Sequence, residues 1–205
     1  MIISLKTHSL LILFVFHFFG IVLFAYNPQN AQLSFLTVGI CALLILLHEK
    51  SGLSKLVYIT IILFGYIIEV IGVNTTYLFG SYTYGTSLGV KFLNVPPLIG
   101  LNWLIIIISG ASIARILLKK RPVWQIAIIS AFICTFLDLI IEPVAIKFNF
   151  WQWENGRIPV YNYLCWIIFS FIFSFIYLRE KVNVNKIGVY TYGVWIAFFS
   201  LLNFI

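Results

Sequence analysis

The sequence predicts an all-α fold, a polytopic membrane helix bundle with seven transmembrane helices. Three observations carry that reading. The 205-residue chain is 62% hydrophobic and only 9% charged, with a mean hydropathy of +1.06, whereas soluble domains carry about 25% charged residues. Its apolar runs recur at the length of a bilayer crossing, about 20 residues. Its basic residues gather in the short segments between those runs. No polar stretch is long enough to build a soluble domain, so residues 1–205 read as a single integral membrane domain.

The first run, 9–26, follows Lys6 and has the look of a secretory signal. It is nearly span-length, however, and Asn27-Pro28-Gln29-Asn30 follows it in place of a small-residue cleavage site, so a retained signal-anchor helix is expected. The second run, 33–47, is short and is expected to tilt little or lie partly at the interface. The remaining runs are 56–73, 97–118, 123–142, 161–178 and 187–204. Asn27-Pro28, Ser51-Gly52, Arg121-Pro122 and Asn155-Gly156 break the chain between them. In the fifth run Pro143 disfavours helical geometry at the residue before it, which predicts a helix end or kink near Glu142.

Loop charge sets the orientation. One side collects Lys6, Lys50, Lys55, Arg115, Lys119, Lys120, Arg121, Arg179, Lys181 and Lys186, and the other only Lys91, Lys147 and Arg157. Cytoplasmic loops are the Lys/Arg-rich ones, so the N-terminus is expected inside, the C-terminus outside, and the chain in a bacterial inner membrane. The formal charge of +7 then reflects topology rather than nucleic-acid binding. Cys41, Cys134 and Cys165 all fall within apolar runs and have no metal-ligand spacing. The sequence holds no Walker loop, no Gly-x-Gly-x-x-Gly, no His-rich di-metal pattern and no Asp-Asp-x-x-Asp for a metal-bound diphosphate. The histidines, including His17 among the phenylalanines of the first run, carry no such pattern either. No metal and no cofactor are expected.

Three acids stand out within the spans. Asp138 and Glu142 are four residues apart and share a helix face. Glu69 lies near the outer end of the third run, at a similar depth. Ionisable groups inside a span cost at least a few kcal/mol and mark a functional site by default, although each could be a hydrogen-bonding group between helices. In its protonated form a carboxyl kept from water can deliver a proton to a poor base such as an alkene. The carbocation that results must be stabilised before water traps it, and aromatic faces attract cations within about 6 Å. Trp103 and Trp166 lie several residues inside their runs, accompanied by Asn102 and Asn162. Two outer loops, one with Tyr82 and Tyr84 and the other with Trp151 and Trp153, are aromatic and glycine-rich. They are expected to cap the bundle or dip into it, since irregular backbone at membrane depth must pack on protein or line a cavity.

Several pieces then occur together in one order. They are Glu69, Phe79-Gly80-Ser81-Tyr82-Thr83-Tyr84-Gly85, Val95-Pro96-Pro97 with Asn102-Trp103, Asp138-x-x-x-Glu142-Pro143, Trp151-x-Trp153, and Ile158-Pro159-Val160-Tyr161-Asn162-Tyr163 with Trp166. From about residue 56 to 178 this pattern resembles the carotenoid biosynthesis protein family, whose best-understood members are carotenoid hydratases of the bisanhydrobacterioruberin hydratase type. The resemblance implies a cofactor-independent membrane enzyme that adds water to the terminal double bond of an acyclic carotenoid end group. Its catalytic residues would be Asp138, Glu142 and Glu69. Trp103, Trp166, Asn162, Asn102, Tyr82, Tyr84, Trp151 and Trp153 would surround the substrate. The partners expected are a polyene lipid, the membrane and other enzymes of the same pathway. The alternatives are a carotenoid cyclase, in which a neighbouring double bond captures the cation, and a proton-coupled transporter or lipid-binding protein that uses the same acids as a relay.

Overall fold

The computed structural model describes residues 5–49, 55–180 and 183–205. The expected Ser51-Gly52 break, Lys50 and Lys181 lie outside the described residues. Helices α1 (Leu5–Tyr26), α2 (Ser34–Leu47), α3 (Lys55–Thr75), α4 (Leu98–Leu117), α5 (Val123–Lys147), α6 (Val160–Arg179) and α7 (Lys186–Phe204) follow the seven apolar runs. Among the described residues these seven helices are long and apolar enough to cross a membrane. The second crossing is extended at its start by a 3₁₀ turn, Pro28–Leu33, in which proline is tolerated because the first N–H groups of a helix have no partner within it.

Helix α4 is the axis of the bundle and packs against α2, α3, α5, α6 and α7. Its run of isoleucines, Ile105 to Ile108, is buried on every side, and a helix apolar all round is one that belongs inside. Helix α1 is peripheral, resting on α7, α2 and the 3₁₀ turn. Small residues allow the close crossings. At Gly100 of α4 an added Cβ would stand 2.5 Å from the Ile62 carbonyl oxygen of α3, as expected for membrane helices that approach through small residues.

Helix α5 does not end at Glu142. It continues past Pro143 to Lys147. Val144 and Ala145 are fully buried there, so packing on the bundle outweighs the backbone hydrogen bond that proline removes. The loops after α3 and α5 meet as a two-stranded antiparallel ribbon, β1 (Tyr82–Tyr84) and β2 (Trp151–Trp153). In the register Tyr82↔Trp153 and Tyr84↔Trp151, residues two apart point to the same face. Tyr82, Tyr84 and Trp153 are buried, Trp151 is half-buried, and Thr83 and Gln152 face out. At the opposite end of the bundle Glu49 accepts from Tyr177 at 2.8 Å and from Asn185 at 3.2 Å, tying α2, α6 and α7 together.

Candidate active site

The ribbon and the ends of α3, α4, α5 and α6 enclose the three acids. Glu69, Asp138 and Glu142 are all buried, and their hydrogen-bond partners among the described residues are neutral donors. Glu69 accepts three bonds, from the Tyr82 hydroxyl at 2.5 Å and the Tyr84 hydroxyl at 2.8 Å on Oε2, and from the Trp103 indole at 3.0 Å on Oε1. Glu142 Oε2 accepts from both ribbon indoles, Trp151 at 2.9 Å and Trp153 at 2.8 Å. Its Oε1 accepts from Asn162 Nδ2 at 3.2 Å, and the same amide donates to Asp138 Oδ2 at 3.1 Å. One amide thus bridges two carboxyls placed one helical turn apart. No metal-suited group of three His, Cys, Asp or Glu occurs among the described residues.

The backbone that presents these donors is shaped locally. Phe79 and Gly80 both have positive φ, 66° and 116°, a region that glycine enters freely and phenylalanine rarely. The turn buries the Phe79 ring, and its N–H donates to Cys165 Sγ at 3.3 Å. An added Cβ at Gly80 would stand 2.7 Å from Pro159 Cγ, so the chain passes tightly over the start of α6. Lys91 Nζ donates to the Tyr84 carbonyl oxygen and braces β1 from outside. Burial first, and then the adjacent Glu69, pushes the Tyr82 and Tyr84 phenols well above their ordinary range, so both remain donors to Glu69.

A cavity of about 30 Å³ opens among these groups, lined by Glu69, Glu142, Tyr82, Tyr84, Trp151, Trp153, Asn102, Asn162 and Trp166, together with Phe79 and Ile99. Since a water needs roughly 10–15 Å³ of such space, it has room for two or three. Asp138 and Trp103 stand behind this wall, outside its lining. Asp138 reaches it through Asn162, and Trp103 lies flat against Trp166. The eleven residues singled out in the sequence therefore converge, nine on the cavity and two in direct support. Phe79 and Ile99 went unselected, and an aromatic before glycine was the available signal for the first.

The fold and site define a polytopic membrane protein with a buried cluster of carboxyls, indoles and phenols around a small cavity. The chain belongs to the carotenoid biosynthesis protein family: the family described as "Carotenoid biosynthesis protein" matches residues 30–205, leaving α1 ahead of the matched region. Among curated proteins it is similar to the bisanhydrobacterioruberin hydratase of Haloarcula japonica, with 26% identity over 129 residues. That match covers 60% of this chain and 43% of the relative, less than half of the relative's length. No solved structure matches the chain.

Proposed function

We propose that the protein is a carotenoid hydratase that adds water to the terminal double bond of an acyclic end group. The observation that carries this reading is the water-sized cavity placed between Glu69 and Glu142 with an indole in its wall, in a member of a carotenoid biosynthesis family. Two neighbouring carboxyls titrate as a pair, and Asp138 and Glu142 hold one proton between them. Glu142, which faces the cavity, passes that proton to the less substituted alkene carbon. The π bond breaks, a C–H bond forms, and a tertiary cation remains on the more substituted carbon. The cavity-facing Trp166 steadies that cation electrostatically. Water attacks the cation and gives up a proton to Glu69, which Tyr82, Tyr84 and Trp103 hold in place. A tertiary alcohol is left, and the proton returns from Glu69 to the acid pair through cavity water.

A cavity with room for water beside the acids favours hydration over cyclisation, which needs the same protonation but no water. The loop charges support placing the site in the outer half of the membrane, with the N-terminus inside. The test is expression in a host that makes an acyclic carotenoid. The expected product is heavier than its precursor by one water. A product of unchanged mass but altered absorbance would mean cyclisation, and no product at all would sink the enzyme reading.

A further inference from the structure

Beside the acid cavity lies a second hollow of about 60 Å³ with mainly apolar walls, among them Leu98, Ile141, Trp195 and Phe198. The two hollows share Ile99, Asn102 and Trp151, which therefore form the partition between them. On its other side the apolar chamber shares Ser34, Thr37 and Phe198 with a cleft of about 300 Å³ between α1 and α2. Cleft, chamber and acid cavity stand in series. The α1 wall of the cleft runs from Val15 to Phe24, about 14 Å at 1.5 Å per residue. Phe16, Phe19 and Leu36 at its rim are exposed, as a mouth in hydrocarbon would be.

We infer that this series is the binding channel for the polyene chain of the substrate, which enters laterally between α1 and α2 and is threaded past Asn102 and Trp151 until its end group meets Glu142. The inference rests on the hydratase reading and adds where the unreacting part of the substrate lies. Space decides the occupant. A cavity for two or three waters admits no more than the tip of an end group, so a long hydrocarbon remainder needs an apolar berth that adjoins it. The chamber wall offers few polar groups to a polar ligand. His17, one of those few, already engages the Leu13 carbonyl through Nδ1 at 2.7 Å. Desolvating a polar ligand without offering it partners is unfavourable, which selects for hydrocarbon. Helix α1 packs more slightly on α2 than on α7, which suits a wall that parts from α2 to admit a chain.

The experiment plugs the channel at the wall shared by chamber and cleft. Thr37→Trp is compared with Ala197→Trp, which fills the groove between α1 and α7, a rival way in that shares His17 and Phe198 with the chamber but neither Ser34 nor Thr37. Turnover of a full-length acyclic carotenoid is measured against that of a short terpene alkene with the same end group, together with the polyene that copurifies with each protein. Thr37→Trp is expected to lower the ratio of long to short turnover by about tenfold or more and to strip the bound polyene, whereas Ala197→Trp keeps the wild-type ratio. An unchanged ratio in Thr37→Trp, or a fall confined to Ala197→Trp, overturns the route. Should Thr37→Trp fail to fold, Ser34→Phe makes the same test from the same shared wall. If wild-type protein hydrates neither substrate, the hydratase reading fails by itself. Polyene binding then decides the channel: polyene retained equally by wild type and Thr37→Trp rejects it, and selective loss from the variant upholds it.

Discussion

Trp103 and Trp166 lie face to face, with ring centroids 4.1 Å apart and planes 13° from parallel. Of the two, Trp166 lines the acid cavity, while Trp103 backs it and donates its indole N–H to Glu69. One indole is thus free to face a cation and the other is committed to holding a carboxyl. Because a desolvated cation–π contact contributes roughly 0.5–2 kcal/mol, Trp166→Leu should slow hydration by roughly 2- to 30-fold, with Trp166→Phe falling between it and wild type. The product yields of the three proteins, normalised to protein in the membrane, make the comparison. Equal yields from Trp166→Leu and wild type would remove the indole from the mechanism.

The proposed proton donor makes a sharper prediction. Losing a positioned general acid costs about 10²- to 10⁴-fold, so Glu142→Gln should nearly abolish the hydrated product. Asp138→Asn should be milder, since Asp138 lies behind the cavity wall and acts through Asn162. Single-turnover rates at fixed protein concentration would rank them. A Glu142→Gln protein as active as wild type would mean that the proton comes from elsewhere.

This ordering of the two acids was not legible in the sequence, although much else was. Seven apolar runs and the pairing of Asp138 with Glu142 follow from hydropathy and helical period alone, because lipid leaves the backbone few choices. Which acid faces the hollow depends on the rotation of α5 against α6, which is set by side chains distant in sequence, such as Asn162. The ribbon escaped for a similar reason. Tyr82-Thr83-Tyr84 and Trp151-Gln152-Trp153 are too short to declare themselves as strands, and they pair only because α3 and α5 deliver them to the same end. Pro143 does not end α5, because the burial of Val144 and Ala145 beyond it outweighs the local backbone preference that the sequence displays.

The two ribbon tyrosines predict an alkaline limit. Burial, then the neighbouring Glu69, raises both phenols well above their ordinary value in the folded protein. Unfolded phenols ionise near about 10, so at higher pH the unfolded state gives up its protons first. The stabilisation is therefore whole below about pH 10 and is lost as pH rises above it. Tyr84→Phe should flatten that alkaline loss and cost about 1 kcal/mol near neutrality for the missing hydrogen bond. Thermal unfolding in detergent across neutral to alkaline pH would show both effects. An alkaline slope identical to that of wild type would mean that Tyr84 ionises equally readily in both states.

Helix α3 carries the last prediction, at a residue that touches neither acid nor cavity. Gly65 precedes Glu69 by four residues and so shares its helix face. An added Cβ there would stand 2.7 Å from both Cβ and Cγ of Trp103, closer than carbon atoms approach one another. The indole cannot retreat freely, because Trp166 is stacked on its face and Phe173 meets it edge-on with centroids 5.5 Å apart. Overpacking of this kind typically costs about 1–3 kcal/mol, and it would also draw the Trp103 N–H away from Glu69. Gly65→Ala should therefore lower both the unfolding temperature and the hydration rate. Gly39 on α2 is the control, since an added Cβ there meets nothing within 4 Å. Gly39→Ala should be neutral, or stabilising by up to about 1 kcal/mol through helix propensity. If both alanine variants melt and react as wild type does, Trp103 has room to move, and its place beside Glu69 is not what keeps that carboxyl in position.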